Sequence, residues 1–532
     1  MSAKSSRTAV GARAGKANSP ARLANVTGSA AATSRPRLVD TANFLLATRD
    51  SGYRSTAYAV AEFVDNSLQA GATCVAIDLL VGDEKSFPIE VLVVDDGIGM
   101  DEVTLASALT FGGSSRFDDR SSLGRYGMGL PNGALSCARR VEVFSWRRGR
   151  FLTSRLDVDE LVHGKRRSLP PVQAVARPAF LPRTPRGTAV LLRRCDRLEY
   201  RRASTLANKL HADLGRIYRR FIERGIELRV NGELVAAVDP LFLRHNGRRF
   251  GARRFGERLT YQLKGAGGDG AVEVVFTELP IDRWHSLPSD EKRRLGVTNA
   301  PPVSIMRADR EIDRGWYFMG AKRRENYDDW WRCEINFEPN LDELFGITNA
   351  KQGIKPRSDL LTALECDLEP IARALNGRAR QRFELVKATK PLTAAEKQAA
   401  RAEPTLAALP RRRESLPEDL RRLVMSHVDG REPTSPYQIV ATELPTTAAF
   451  EIVRRRDQLI LVFNTRHPLY RDLYGPLAMS ESAEDQDVAK RVALAVLAAA
   501  RAEASATGRA DRDEVRRFRQ AWADVLATFF NA

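Results

Sequence analysis

The 532-residue sequence lacks the residue sets that build disulfide scaffolds and metal clusters. Its five cysteines, Cys74, Cys137, Cys195, Cys333 and Cys366, are scattered, and no two form a CxxC pair. Such a set argues against a disulfide framework and against a zinc site; most read as small buried apolar residues. No apolar run reaches the roughly 18 residues of a membrane span. No GxxxxGK[ST] occurs, so there is no Walker A loop. There is no internal repeat. Acidic residues are missing from positions 1–39, which hold seven Lys or Arg. That segment has no apolar signal core. Its Arg and Ala content superficially resembles an organelle transit peptide, but it reads as a disordered arm and the protein as intracellular and cytoplasmic.

What is present is length and positive charge. The chain is long enough for two to four domains with substantial cores. Its net charge of +17 suits a polyanion such as DNA as partner. A solvated basic surface in an Arg-rich proteome explains the same number equally well.

The stretch Ala57 to Ala72, AYAVAEFVDNSLQAGA, reads as an amphipathic helix. Ser55 or Thr56 can cap it, and Gly71 can end it. Ala57, Val60, Ala61, Val64 and Leu68 form one apolar stripe. Glu62, Asp65, Asn66 and Gln69 form a second, polar one. A carboxylate one turn before an amide oxygen can hold a water beside a hard cation such as Mg²⁺. Taken alone, the stripe is as well explained as a solvated polar face.

Three later stretches bear on that choice. Ile89 to Asp101, IEVLVVDDGIGMD, is an apolar strand ending in Asp95, Gly97 and Gly99. Gly124 to Gly129, GRYGMG, opens a second helical stretch, with Met128 between its last two glycines. Gly187 and Thr188 begin a further strand, RGTAVLLRRCD. Helix with Glu and Asn, strand with DxGxG, GxxGxG before a helix, then GT: this order resembles the Bergerat-fold (GHKL) ATPases of gyrase, heat-shock chaperone, mismatch-repair and histidine-kinase type.

The resemblance implies an α/β protein, an α+β sandwich that binds ATP and Mg²⁺. It makes Glu62 the water-activating base and Asn66 the magnesium ligand. Asp95 becomes the acceptor for the adenine amino group, a contact that disfavours guanine. Gly97 and Gly99 let the backbone pass close to the base. Thr188 would share the adenine water network. Gly124, Gly127, Met128 and Gly129 would present backbone amides to the phosphates. The family often has Asp where this chain has Gln69, which leaves one water-mediated contact open; Asp65 is a candidate substitute. Asp96 points the other way along the strand and carries no role. Phe111 to Tyr126 reads as a lid, with Gly112 and Gly113 as hinges. Asn349, Lys351 and Gln352, in PNLDELFGITNAKQGI, resemble the Asn-x-Lys-Gln loop of Microrchidia-type ATPases. The resemblance makes Lys351 a catalytic residue that reaches the γ-phosphate.

The expected organisation is a basic tail (1–36), a Bergerat-fold ATP-binding domain (37–238) and an S5-like transducer (239–375). A charged helical linker (376–436) and a C-terminal α/β domain (437–532) follow. Val39 to Asp50 is an ordered lead-in, whose Phe44, Leu45 and Leu46 are open to a partner subunit. A single helix is expected over 203–224, another ending at Leu375, and one clear strand, Gln458 to Asn464, in the last domain. The functional expectation is ATP-driven gating of a homodimer without membrane association. Two alternatives are a signalling histidine kinase and a heat-shock-type chaperone. None of the six histidines, His163, His211, His245, His285, His427 and His467, precedes Glu or Asp in a dimerisation-helix pattern, which counts against the first. The basic charge and the absence of a long acidic segment count weakly against the second. A third, a module that binds nucleotide without hydrolysis, leaves Glu62 without a task. His467 reads as a satisfied structural histidine.

Overall fold

The computed structural model describes residues 39–50, 52–113, 128–166, 168–245, 248–347, 353–410, 435–455 and 457–532. The first part of the chain runs α1 (Thr41–Asp50), α2 (Thr56–Gln69), β1 (Cys74–Glu84), β2 (Phe87–Asp95) and α3 (Glu102–Ala108). It continues as α4 (Gly129–Cys137), β3 (Arg140–Arg147), β4 (Arg150–Asp157), α5 (Val158–Val162), β5 (Gln173–Ala174) and β6 (Arg186–Arg193). Helices α6 (Ala203–Ile217) and α7 (Arg219–Glu223) lead into β7 (Glu227–Val230) and β8 (Glu233–Leu234).

These strands make one eight-stranded sheet, ordered β5-β4-β3-β6-β2-β1-β7-β8. Strand β2 lies inside it, between β6 and β1, and is covered on both faces. Side chains alternate across a strand. Ile89, Val91 and Val93 therefore join the core beneath α2, α4 and α6. Leu92 and Val94 meet Trp146, Leu181, Ala189 and Leu191 on the other side. The apolar stripe of α2 is buried as expected, with Val60 and Ala61 fully so and Leu68 partly. Ser55 does not cap it through its side chain. Thr56 Oγ1 instead accepts from Glu199 N at 3.0 Å.

A short β9–β10 hairpin (Arg244–His245, Arg248–Arg249) precedes the second sheet. That sheet contains β11 (Arg253–Gly265) and β12 (Gly268–Glu278). After α8 (Ile281–Trp284) and α9 (Ser289–Leu295) come β13 (Val303–Arg307), β14 (Arg310–Gly315) and β15 (Trp331–Phe337). The order is β11-β12-β15-β13-β14, so β14 is an edge strand. Helix α10 (Asp342–Phe345) and the first half of α11 (Ser358–Ala402) cover it. The third sheet, β16-β18-β17, is built from Tyr437–Thr442, Phe450–Arg455 (β17) and Gln458–Asn464 (β18). It packs with α12 (Gly475–Met479), α13 (Ala483–Ser505), α14 (Arg509–Asn531) and the end of α11. The architecture is mixed α/β. Among the described residues no helix is long and apolar enough to cross a membrane.

Four expectations change. The helix expected to end at Leu375 continues through 45 residues to Ala402, with Pro370 and Pro391 inside it. Its beginning packs in the second core through Leu360, Leu364 and Leu368, and its end in the third through Leu392 and Ala395. Burial at both ends outweighs the proline penalty. The helix expected over 203–224 breaks at Tyr218, whose backbone leaves helical geometry (φ −105°, ψ 17°). The break lets the Tyr218 hydroxyl turn inward, 2.7 Å from Ala61 O. Two more strands accompany Gln458–Asn464 in the last sheet. Finally, Leu45 is not open to a partner. Helix α1 packs on α4 and α5, burying Leu45 to 3% exposure. Phe44 stands edge-on to Phe111, 4.9 Å between centroids.

Candidate functional site

The site forms where α2, the end of β2 and the start of α4 meet. Glu62 is buried on α2. A Cβ added at Gly129 would run into its Oε2. The carboxylate thus lies against the first residue of α4. Asn66 is half-buried one turn later on the same stripe. A carboxylate and an amide oxygen therefore line one edge of a site that a helix N-terminus closes. That end of a helix presents unpaired N–H groups and favours anions.

Asp95 ends β2 and is 8% exposed. Its Oδ1 accepts from Gly97 N at 2.9 Å and Thr188 N at 3.2 Å. Its Oδ2 lies 2.9 Å from Ser67 Oγ. Burial pushes the Asp95 carboxyl above the ordinary carboxylate range, and these three donors oppose the push. Gly97 passes tightly over the end of α2: a Cβ there would lie 2.9 Å from Ala70 Cβ. Gly99 has φ +69°, and a Cβ would sit 2.6 Å from Trp146 O. Thr188 meets Asp95 through its backbone amide.

The remaining expected residues divide. Met128 is the residue before α4. Gly124, Gly127, Asn349, Lys351 and Gln352 lie outside the described residues, as does most of the expected lid beyond Gly113. Asp96 does point away, accepting from Thr73 and Cys74. His467 is buried with Nε2 3.1 Å from Ala523 O. Asp65 is a correction. It does not substitute for the family's Asp, because its Oδ1 faces Arg310 Nε at 2.9 Å and Tyr218 Oη at 2.7 Å. Both partners belong to the side of α2 that meets the second sheet.

Sequence reading missed Ser67, Tyr218 and Arg310. Ser67 was within reach: it lies one helical turn after Phe63, 2.9 Å from both Phe63 O and Asp95 Oδ2. Arg310 had no local signal, since 245 positions separate it from Asp65.

The donor set suits Mg²⁺ bound with a nucleotide. That ion takes one or two protein oxygens and keeps waters and phosphates for the rest. Asn66 has one such oxygen to offer. Among the described residues no group of three His, Cys, Asp or Glu could form an all-protein metal cage.

No curated protein matches the chain. Residues 53–179, which span Glu62, Asn66, Asp95, Gly97, Gly99 and Gly129, match the model of the histidine kinase-, DNA gyrase B- and HSP90-like ATPase family, so the chain carries an ATP-binding domain of the GHKL type.

Proposed function

We propose that the protein is a Mg²⁺-dependent, Microrchidia-like ATPase whose nucleotide state opens and closes a homodimer. The observation that carries the hydrolytic reading is the Glu62 carboxylate seated against Gly129, one turn before Asn66 on α2. A module built only to hold nucleotide has no use for a base at that place. In this reading Glu62 takes the proton of the attacking water. Asn66 holds Mg²⁺, which supplies neutralisation of phosphate charge. Asp95 reads the adenine amino group, with Thr188 beside it. The amides of Gly124, Gly127 and Gly129 bind phosphate, and Lys351 reaches the γ-phosphate. The second sheet serves as an S5-like transducer, so domain boundaries fall near 238 and within α11.

Dimer gating follows from a γ-phosphate that binds groups from two domains, because both are then held only while it is present. A non-hydrolysable ATP analogue should convert a monomer or open dimer into a compact dimer. Lys351→Ala should bind the analogue nearly as well and fail to close. Light scattering and small-angle X-ray scattering check this; the same mass and radius with and without analogue refute gating.

The charge of +17 makes DNA the partner this reading favours. Binding to duplex DNA should weaken linearly with the logarithm of salt, and deleting residues 1–36 should flatten the slope. An unchanged slope removes the tail from the interaction.

A further inference from the structure

The face of α2 turned toward the second sheet is built of charge. Arg310, the first residue of edge strand β14, extends a fully buried side chain to Asp65, Nε to Oδ1 at 2.9 Å. Tyr218 Oη lies 2.7 Å from the same oxygen. Asp65 stands three residues after Glu62, so the two carboxylates project from adjacent turns of one face. The charges of Asp65 and Glu62 both hold the Arg310 guanidinium protonated against its burial. Its Nη2 is buried with no hydrogen-bond partner among the described residues, and so is the hydroxyl of Tyr53. Burial, then the charge of Glu62, pushes the Tyr53 hydroxyl far up, so it stays neutral.

The rest of β14 docks the same way. Glu311 pairs with Arg216 and Arg219, and Asp313 with Arg54 at 2.6 Å. Glu334 on β15, two strands in from the edge, takes Arg219 and Arg220. Arg54 lies two residues before α2, and the other three arginines flank the break at Tyr218. A buried ion pair contributes little net stability against an apolar pair of similar size. It does impose geometry, because displacing either partner leaves a buried charge uncompensated.

We propose that Arg310 is a positioning residue for hydrolysis: reaching from the second sheet, it clamps the Glu62-bearing face of α2 and makes the base competent only while that sheet is docked. The proposal rests on the reading of Glu62 as the base. A purely apolar contact would dock the sheet equally well but would not fix a carboxylate-bearing helix by charge.

The test compares ATP turnover, Mg·ATP affinity and thermal unfolding of the full chain in four variants. Arg310→Gln leaves Asp65 uncompensated and risks unfolding. The double variant Asp65→Leu/Arg310→Met keeps the interface packed without charge. Its unfolding midpoint should stay near the wild type, its Mg·ATP affinity within about threefold, and its turnover fall about thirtyfold, a loss typical of a misplaced catalytic group. Arg310→Lys, which restores one charge, should recover a measurable part of that turnover. A folded double variant hydrolysing within about threefold of wild type overturns the proposal. If the double variant does not fold, Arg310→Gln assayed below its own unfolding midpoint decides: wild-type turnover overturns the clamp, and a drop with intact affinity supports it. Glu62→Gln separates the two readings. Full activity in that variant, or none in the wild type, removes the base assignment and the clamp with it; an inactive Glu62→Gln beside an active double variant removes the clamp alone.

Discussion

Replacing Glu62 with glutamine should leave ATP bound and bring its hydrolysis nearly to a halt, with turnover lowered about a hundredfold or more. The exchange keeps the size of a side chain that lies against Gly129. What it removes is the ability to take a proton from water. Affinity for Mg·ATP should be preserved, because the proposed reading places the groups that hold adenine, phosphates and metal elsewhere, on Asp95, on the glycine segment before α4 and on Asn66. Phosphate release and titration calorimetry on the same preparation separate the two effects. Turnover at the wild-type rate would remove Glu62 from the chemistry.

The second large effect belongs to Asp95. Asp95→Asn should weaken ATP binding by about 1–3 kcal/mol, the usual result of a mismatched buried polar partner. The protein itself should tolerate the change. The amide oxygen can face the N–H groups of Gly97 and Thr188, and the NH₂ can face Ser67 Oγ, which has Phe63 O as another partner. What is lost is a group that only accepts, and the adenine amino group needs an acceptor. The wild type should correspondingly prefer ATP to GTP, whose carbonyl would meet the carboxylate. Calorimetry with both nucleotides checks this, and equal wild-type affinities refute the adenine contact.

These residues were legible because each sits in a short motif with its own physical logic. The apolar run of β2 ends where Asp95 must turn toward Gly97, and α2 announces itself by two stripes of helical period. The second sheet was legible only where it obeyed the hydrophobic pattern. Strands β12, β13 and β15 carry buried Val, Ile and Phe. Strand β14, REIDRG, is rich in charge yet its first four residues are buried, because arginines from α6 and α7 and the carboxylate of Asp65 neutralise it. Strand β11 is legible only in part: Leu259, Tyr261 and Leu263 alternate against the core, but most of its residues are exposed. Pro391 lies inside α11, where Leu392 and Ala395 are buried beside it and carry the helix through. Asp65 could be seen as polar but not assigned a direction, since its partner is fixed only by tertiary contact.

The continuity of α11 has a mechanical consequence. At 1.5 Å per residue its 45 residues make a rod about 68 Å long. One end is embedded beside the sheet that Arg310, Glu311 and Asp313 fasten to the ATP-binding domain; the other carries Leu392 and Ala395 into the third core. A rotation of about 5° at the fastened end sweeps the far end through about 6 Å of arc. In the proposed reading the second sheet would act as a fulcrum and the third sheet as the tip of a lever, so a small adjustment around Glu62 would become a larger displacement far from it.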